Sequence, residues 1–92
     1  MMNPYMQETE NALVHTYNRF PVIFEKGEGV YLYDTEGKKY LDFAAGIAVC
    51  GLGYGNPELT AAVKEQTELL WHTSNLFYNA SCGTAAEALK KA

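Results

Sequence analysis

Basic residues are scarce in this sequence, which has 7 lysine and arginine side chains against 11 aspartates and glutamates and a net charge of -4. No run of positive charge is present that could follow the phosphates of a nucleic acid. Its apolar runs are far shorter than the roughly 20 residues that a membrane-spanning helix needs, and none follows a charged leader. We therefore expect neither nucleic acid nor membrane as a partner, and a cytoplasmic location.

Cysteine and histidine are also rare, with two of each in 92 residues. Cys50 and Cys82 lie far apart and form no CxxC pair, and His15 and His72 are equally isolated. Zinc sites and disulfide frameworks need closer or more numerous ligands. We predict no metal site, and we interpret both thiols as reduced and structural.

A glycine-rich stretch, GIAVCGLGYGNPEL (46–59), resembles a dinucleotide-binding turn but lacks parts of that motif. A GxGxxG motif that starts at Gly51 would need glycine at Asn56, and one that starts at Gly53 would need glycine at Glu58. The expected acidic residue about twenty positions later is missing from the segment LWHTSN. The stretch is better interpreted as a tight turn that needs positive φ and close packing.

What the sequence does contain predicts an α+β fold. Residues 1–19 read as an N-terminal arm, helix-compatible at best over residues 8–17. Residues 20–45 alternate β-branched and aromatic runs with the breakers EKGEG and DTEG, which is typical of an antiparallel meander. We place its three strands at 22–25, 30–34 and 39–43.

The third predicted region, 46–92, contains a glycine-rich turn and two helices. A long helix is expected to begin at Asn56 and Pro57 and to run to about Trp71, because Pro57 suits the first helical position. After the loop WHTSNLFYN, a second helix is predicted over residues 85–92, with Ser81 or Thr84 as its cap. This helix has no terminating signal, so we expect the chain to be part of a longer polypeptide.

Three motifs together carry a resemblance to a known family. They are the meander GEGVYLYDTEGKKYLD (27–42), the turn and helix GIAVCGLGYGNPEL, and the segment LLWHTSNLFYN (69–79). The chain resembles the N-terminal part of the class-III, fold-type-I aminotransferases that depend on pyridoxal phosphate, and it is most similar to their acetylornithine branch. The resemblance spans about residues 16–79.

The resemblance implies a cytoplasmic homodimer that moves an amino group between N2-acetyl-L-ornithine and 2-oxoglutarate in arginine biosynthesis. It implies that the segment needs the rest of its polypeptide and a second copy as partners. The family's cofactor lysine, the aspartate facing the pyridine nitrogen, the phosphate loop and the substrate-binding arginine would follow Ala92, so no catalytic or cofactor-binding residue is assigned here.

What the resemblance assigns to this segment is part of the substrate pocket or dimer interface. These residues are Ile47, Ser74, Asn75 and Tyr78. Ornithine aminotransferases carry tyrosine where this chain has Ile47, so an aliphatic side chain favours the acetylornithine or 4-aminobutyrate branches. The alternatives are an ornithine, succinylornithine or 4-aminobutyrate aminotransferase, or a stand-alone interaction module without catalytic activity.

Overall fold

The computed structural model describes residues 3–92, and these form two units that meet in sequence at Asn56 and Pro57. The first unit contains a helix, a small sheet and a tight turn, and the second contains two helices. Within the described range, every helix is too short or too polar to cross a membrane. The domain division made from the sequence stays a prediction.

The first helix, α1 (Pro4–Ala12), begins earlier than the arm helix that the sequence suggested. The Asn3 side chain accepts a hydrogen bond from the Tyr5 amide at 2.9 Å, and Pro4 occupies the first turn, where its missing N–H costs nothing. The helix ends at Leu13, whose φ of -103° and ψ of 151° are extended. The sequence indicated an arm that is helix-compatible at best over residues 8–17, whereas the structure has a helix that begins at Pro4, because Asn3 and Pro4 together provide a start signal.

A three-stranded antiparallel sheet follows, in the order β1 (Phe24–Glu28), β2 (Tyr31–Asp34), β3 (Lys39–Leu41). The predicted meander is confirmed, although β1 lies later than the expected 22–25. In the turn before β3, the Asp34 carboxylate accepts hydrogen bonds from the Glu36 and Lys38 amides, both at 2.9 Å. Gly37 has a φ of 82°, as this turn was expected to require.

The meander is followed by one short turn and then by the second unit. The turn is α2 (Ala45–Ala48), and the helices of the second unit are α3 (Pro57–Leu69) and α4 (Ala80–Lys91). The predicted start of α3 at Pro57 is confirmed. The predicted start of α4 was wrong, because the Asn79 side chain caps the helix by accepting from the Cys82 amide at 2.8 Å. That cap adds a full turn before residue 85.

Neither unit has a buried core. Among the described residues no side chain is fully buried, and the closest aromatic packing is an edge-to-face contact between Phe24 and Tyr40 with ring centres 5.3 Å apart. The accessible surface is 8664 Å². A compact monomer of this size would expose about 5,300 Å², and two separate compact units of half the size about 6,400 Å². Apolar surface that folding normally covers is therefore open to contact.

Candidate functional site

The most unusual backbone of the chain lies in the turn α2. Four consecutive residues have positive φ: Ala45 (50°), Gly46 (63°), Ile47 (64°) and Ala48 (63°). With ψ of 36° at Gly46 and 58° at Ile47, the backbone lies in the left-handed helical region. Flanking residues Ala44 and Val49 return to right-handed geometry, both with a φ of -91°. The segment is thus a single left-handed turn inserted after β3.

Only one of these four residues is glycine, so the turn is strained. A left-handed conformation costs an L-residue roughly 1–2 kcal/mol, and for a β-branched residue such as Ile47 it is a genuine outlier. The Ile47 side chain is 91% exposed, so no contact within the described residues repays this cost. Strain of this kind is concentrated at functional sites, where surrounding contacts impose it.

Asp42 holds the start of the turn. Its Oδ1 atom accepts hydrogen bonds from the Ala44 amide at 2.9 Å and the Ala45 amide at 3.0 Å, and its Oδ2 atom accepts one from the Tyr54 hydroxyl. Because these donors favour the ionised carboxylate, the Tyr54 hydroxyl, followed by the Ala45 and Ala44 amides, lowers the pKa of Asp42. Asp42 is therefore an ionised acceptor at neutral pH.

Tyr54 is itself tied to the sheet. Its amide donates to the Gly29 carbonyl at 2.8 Å, and the Gly29 amide donates to the Tyr54 carbonyl at 2.9 Å. Its hydrogen bond to the Asp42 carboxylate, with a smaller effect of burial, raises the pKa of Tyr54 to about 12. The hydroxyl thus keeps its proton, and its role as donor, throughout the neutral range.

Two glycines make room for this arrangement. A Cβ atom on Gly27 would lie 2.5 Å from Cγ of Tyr54, so only glycine lets the ring rest on the strand. A Cβ atom on Gly53 would lie 2.7 Å from the Gly29 carbonyl oxygen, and Gly53 also has a φ of 77°. The glycine-rich segment thus brings Tyr54 against β1.

The second unit contains a polar cleft of about 450 Å³ beside the N-terminus of α4. Ser74 and Asn75 both line it. Ser74 has a φ of 66°, and its hydroxyl accepts a hydrogen bond from the Leu76 amide at 3.3 Å. Thr73 contributes a buried hydroxyl oxygen that has no hydrogen-bond partner among residues 3–92. Tyr78 does not line this cleft, and its side chain is fully exposed.

The four residues expected at a pocket or interface therefore occupy two places. Ile47 lies on the left-handed turn of the first unit, and Ser74, Asn75 and Tyr78 lie on the loop between α3 and α4. Their assignment to a pocket stays a prediction. Sequence reasoning assigned no role to Asp42 or Tyr54, although an aspartate just after a strand is a known signal for a side chain that accepts from backbone amides two or three residues later.

The six lysines of the chain are all exposed. The Lys90 Nζ atom lies 3.8 Å from a carboxylate oxygen of Glu87, and the Lys39 Nζ atom lies 3.9 Å from the centre of the Tyr31 ring. A lysine that reacts with a carbonyl is normally activated by an apolar pocket or a neighbouring cation. These surroundings are unsuited to holding a carbonyl cofactor.

Comparison with known proteins decides the family. The family model for class-III aminotransferases matches residues 12–92. The chain belongs to this family. The chain is similar to the acetylornithine aminotransferase of Gloeobacter violaceus. The two are 54% identical over 83 residues, which are 90% of this chain and 21% of that protein. It thus spans about a fifth of the length of that curated relative.

Solved structures of aminotransferases have a similar fold over nearly the whole of this chain. An N-acetylornithine aminotransferase from Stenotrophomonas maltophilia matches with a TM-score of 0.80 and 42% identity, over 95% of this chain and 22% of that one. An ornithine delta-aminotransferase from Plasmodium falciparum matches with a TM-score of 0.88 and 29% identity, over 95% and 23%. The predicted α+β fold, as a partial segment of a fold-type-I transferase, is confirmed.

Proposed function

We propose that this chain is the N-terminal segment of an acetylornithine aminotransferase. The complete enzyme would transfer an amino group between N2-acetyl-L-ornithine and 2-oxoglutarate in arginine biosynthesis, as a cytoplasmic homodimer. The observation that carries the proposal is the 54% identity, over nine-tenths of this chain, to a protein named for that activity. The solved ornithine aminotransferase is less similar, at 29%.

The pocket residue that supports the choice of substrate is Ile47. Its side chain has no hydroxyl or charge to pair with a polar group of the substrate, and burying an unpaired polar group is costly. A free, charged α-amino group, as in ornithine, would therefore be less favourable against Ile47 than the N2-acylated group of acetylornithine. Ser74 and Asn75 can supply hydroxyl and amide partners to the polar parts of the substrate.

Pyridoxal phosphate, the cofactor that family membership implies, acts as an electron sink when bound. The residues of this segment do not fit it, because all six lysines are exposed. Lys38 borders a cleft of about 560 Å³, but the carboxylates of Asp34 and Glu36 line the same cleft and would repel a phosphate. The segment's own contribution is to substrate orientation and to the pocket wall. The cofactor must be held by residues outside this chain.

The alternative of a stand-alone interaction module has weaker support. An independent domain of this size would be expected to bury a small apolar core, and the described residues bury no side chain fully. Large apolar side chains such as Trp71, at 82% exposed, instead favour a segment that packs against further protein.

The direct test uses the complete polypeptide, loaded with pyridoxal phosphate and assayed for glutamate formation from 2-oxoglutarate. Four amino donors are compared: N-acetylornithine, N-succinylornithine, ornithine and 4-aminobutyrate. We expect the highest kcat/KM for N-acetylornithine. A higher value for ornithine or 4-aminobutyrate would contradict the proposal, and no transfer from any donor would contradict the aminotransferase assignment itself.

A matched pair of variants tests the role of Ile47. Ile47→Tyr is expected to raise the ornithine to acetylornithine ratio of kcat/KM by about tenfold, the scale on which one altered pocket contact discriminates substrates. Val49→Tyr is the control, because Val49 is also exposed, at 78%, but lies outside the left-handed turn. Equal changes in the two variants would show that Ile47 has no special place in the pocket.

A further inference from the structure

The hydrogen bonds inside the turn α2 do not explain its hand. The Ala48 amide donates to the Ala44 carbonyl at 2.9 Å, and the Val49 and Cys50 amides both donate to the Ala45 carbonyl at 2.8 Å. A right-handed turn would also give its backbone amides carbonyl acceptors, and it would avoid the strain of positive φ that three non-glycine residues carry here. Contacts from outside the turn must therefore select the left-handed form.

Asp42 and Tyr54 supply such contacts, and both are fixed at their other ends. The Asp42 amide donates to the Val30 carbonyl at 2.9 Å, next to β2. Tyr54 forms two backbone hydrogen bonds with Gly29, and its ring rests on Gly27. The carboxylate then joins the two anchors to the first amides of the turn. The turn is thus held from the sheet through the Asp42–Tyr54 side-chain pair, and the Cys50 thiol also contacts the Tyr54 hydroxyl.

We propose that Asp42 and Tyr54 are positioning residues that keep α2 left-handed and so direct the exposed Ile47 side chain toward the amino donor. This rests on the proposed function, since it concerns the same pocket wall. Reversing the hand of a turn changes the direction of every Cα–Cβ bond in it, and Ile47 makes no packing contact that could restore its direction. Backbone geometry alone therefore sets where Ile47 points.

The test uses the complete enzyme with Tyr54→Phe, which keeps the ring on Gly27 and removes only the hydroxyl, and Asp42→Asn, which keeps an acceptor oxygen but loses the charge. Tyr33→Phe is the matched control, because Tyr33 lies in the same sheet and its hydroxyl forms no side-chain hydrogen bond in the described part of the chain. Hydrogen exchange of the Val49 and Cys50 amides reports the turn, and steady-state kinetics report the pocket.

We expect exchange at these two amides to become about 3- to 10-fold faster in Tyr54→Phe and Asp42→Asn, since a charge-assisted hydrogen bond is lost or weakened. KM for N-acetylornithine should rise by about 3- to 10-fold, with kcat and cofactor content within about twofold of the unmodified enzyme. Tyr33→Phe should change none of these quantities. Adding Ala45→Gly to Tyr54→Phe should recover part of the lost KM, because glycine adopts positive φ without strain.

Unchanged exchange in Tyr54→Phe would overturn the proposal, as would faster exchange with an unchanged KM. A parallel loss of kcat and cofactor would also overturn it, because that pattern indicates general damage to the fold. Failure of the unmodified enzyme to use N-acetylornithine refutes the proposed substrate alone. The exchange measurement, and KM for whichever donor the enzyme prefers, then still decide the positioning role.

Discussion

Replacing Ala48 by glycine should stabilise the turn α2, which is the reverse of the usual effect of glycine. Ala48 has a φ of 63°, where an alanine is strained by roughly 1–2 kcal/mol. Glycine removes that strain but brings a larger loss of backbone entropy on folding, roughly 0.5–1 kcal/mol. Because the Ala48 side chain is exposed, its methyl group adds little. The expected net gain is about 0.5–1 kcal/mol.

Hydrogen exchange of the Val49 and Cys50 amides in the complete enzyme measures this gain directly, because both donate to the Ala45 carbonyl across the turn. A gain of about 0.5–1 kcal/mol corresponds to about 2- to 5-fold slower exchange. The matched control is Ala62→Gly, at an exposed position inside the right-handed helix α3, where the same change should cost about 1 kcal/mol of helix stability. Faster exchange at Val49 and Cys50 in Ala48→Gly would refute the left-handed turn as the source of strain.

Three further outcomes are expected. Gly53→Ala should lower the free energy of unfolding of the complete enzyme by about 2 kcal/mol or more, because its Cβ would lie 2.7 Å from the Gly29 carbonyl oxygen. Gly51→Ala, with open space around it, should be nearly neutral, and equal effects of the two substitutions would contradict the close approach at Gly53. Tyr54 should ionise near pH 12 in an ultraviolet absorbance titration, so the stability from its hydrogen bond to Asp42 is complete below pH 10.0 and is lost as the pH rises to about 12. The same stability is lost in acid, as the pH falls through the pKa of Asp42, which is lowered below 3.8. A Tyr54→Phe enzyme with an identical titration curve would disprove this. The 92-residue chain alone should show no transamination, and borohydride trapping with pyridoxal phosphate should label its lysines weakly and without stoichiometry, whereas one stoichiometric adduct would mean that a cofactor site exists within the chain.

The features of this segment that follow local rules could be predicted from the sequence. The sheet and its second turn follow from alternation and from Gly37, and the start of α3 follows from Pro57, because each signal lies within a few residues of its effect. The start of α4 was missed by five residues, since Gly83 lowers helix propensity and conceals the cap at Asn79.

The left-handed turn could not be predicted in this way. Its two holding residues are twelve positions apart, and only their packing through Gly27 and Gly29 brings them together. The local preference of these residues even favours a right-handed turn, because isoleucine and alanine avoid positive φ. Tyr54 offered no signal beyond its aromatic ring, which predicts sheet packing equally well. Here long-range contacts decide the backbone against local propensity.

The backbone strain at Ile47 and the exposure of its side chain support the same conclusion. A β-branched residue with a φ of 64° destabilises the segment, and a side chain that is 91% exposed returns none of that free energy within residues 3–92. Asp42 and Tyr54 hold the backbone of the turn, but a contact that uses the Ile47 side chain must come from outside residues 3–92, either from a substrate or from further protein. A substrate contact would be lost selectively, as a change in donor preference in Ile47→Tyr, whereas a packing contact would be lost as stability. A purely packing role would leave the ratio of kcat/KM values for ornithine and acetylornithine unchanged in Ile47→Tyr. It would also remove the reason to expect that Asp42 and Tyr54 position Ile47 for the substrate.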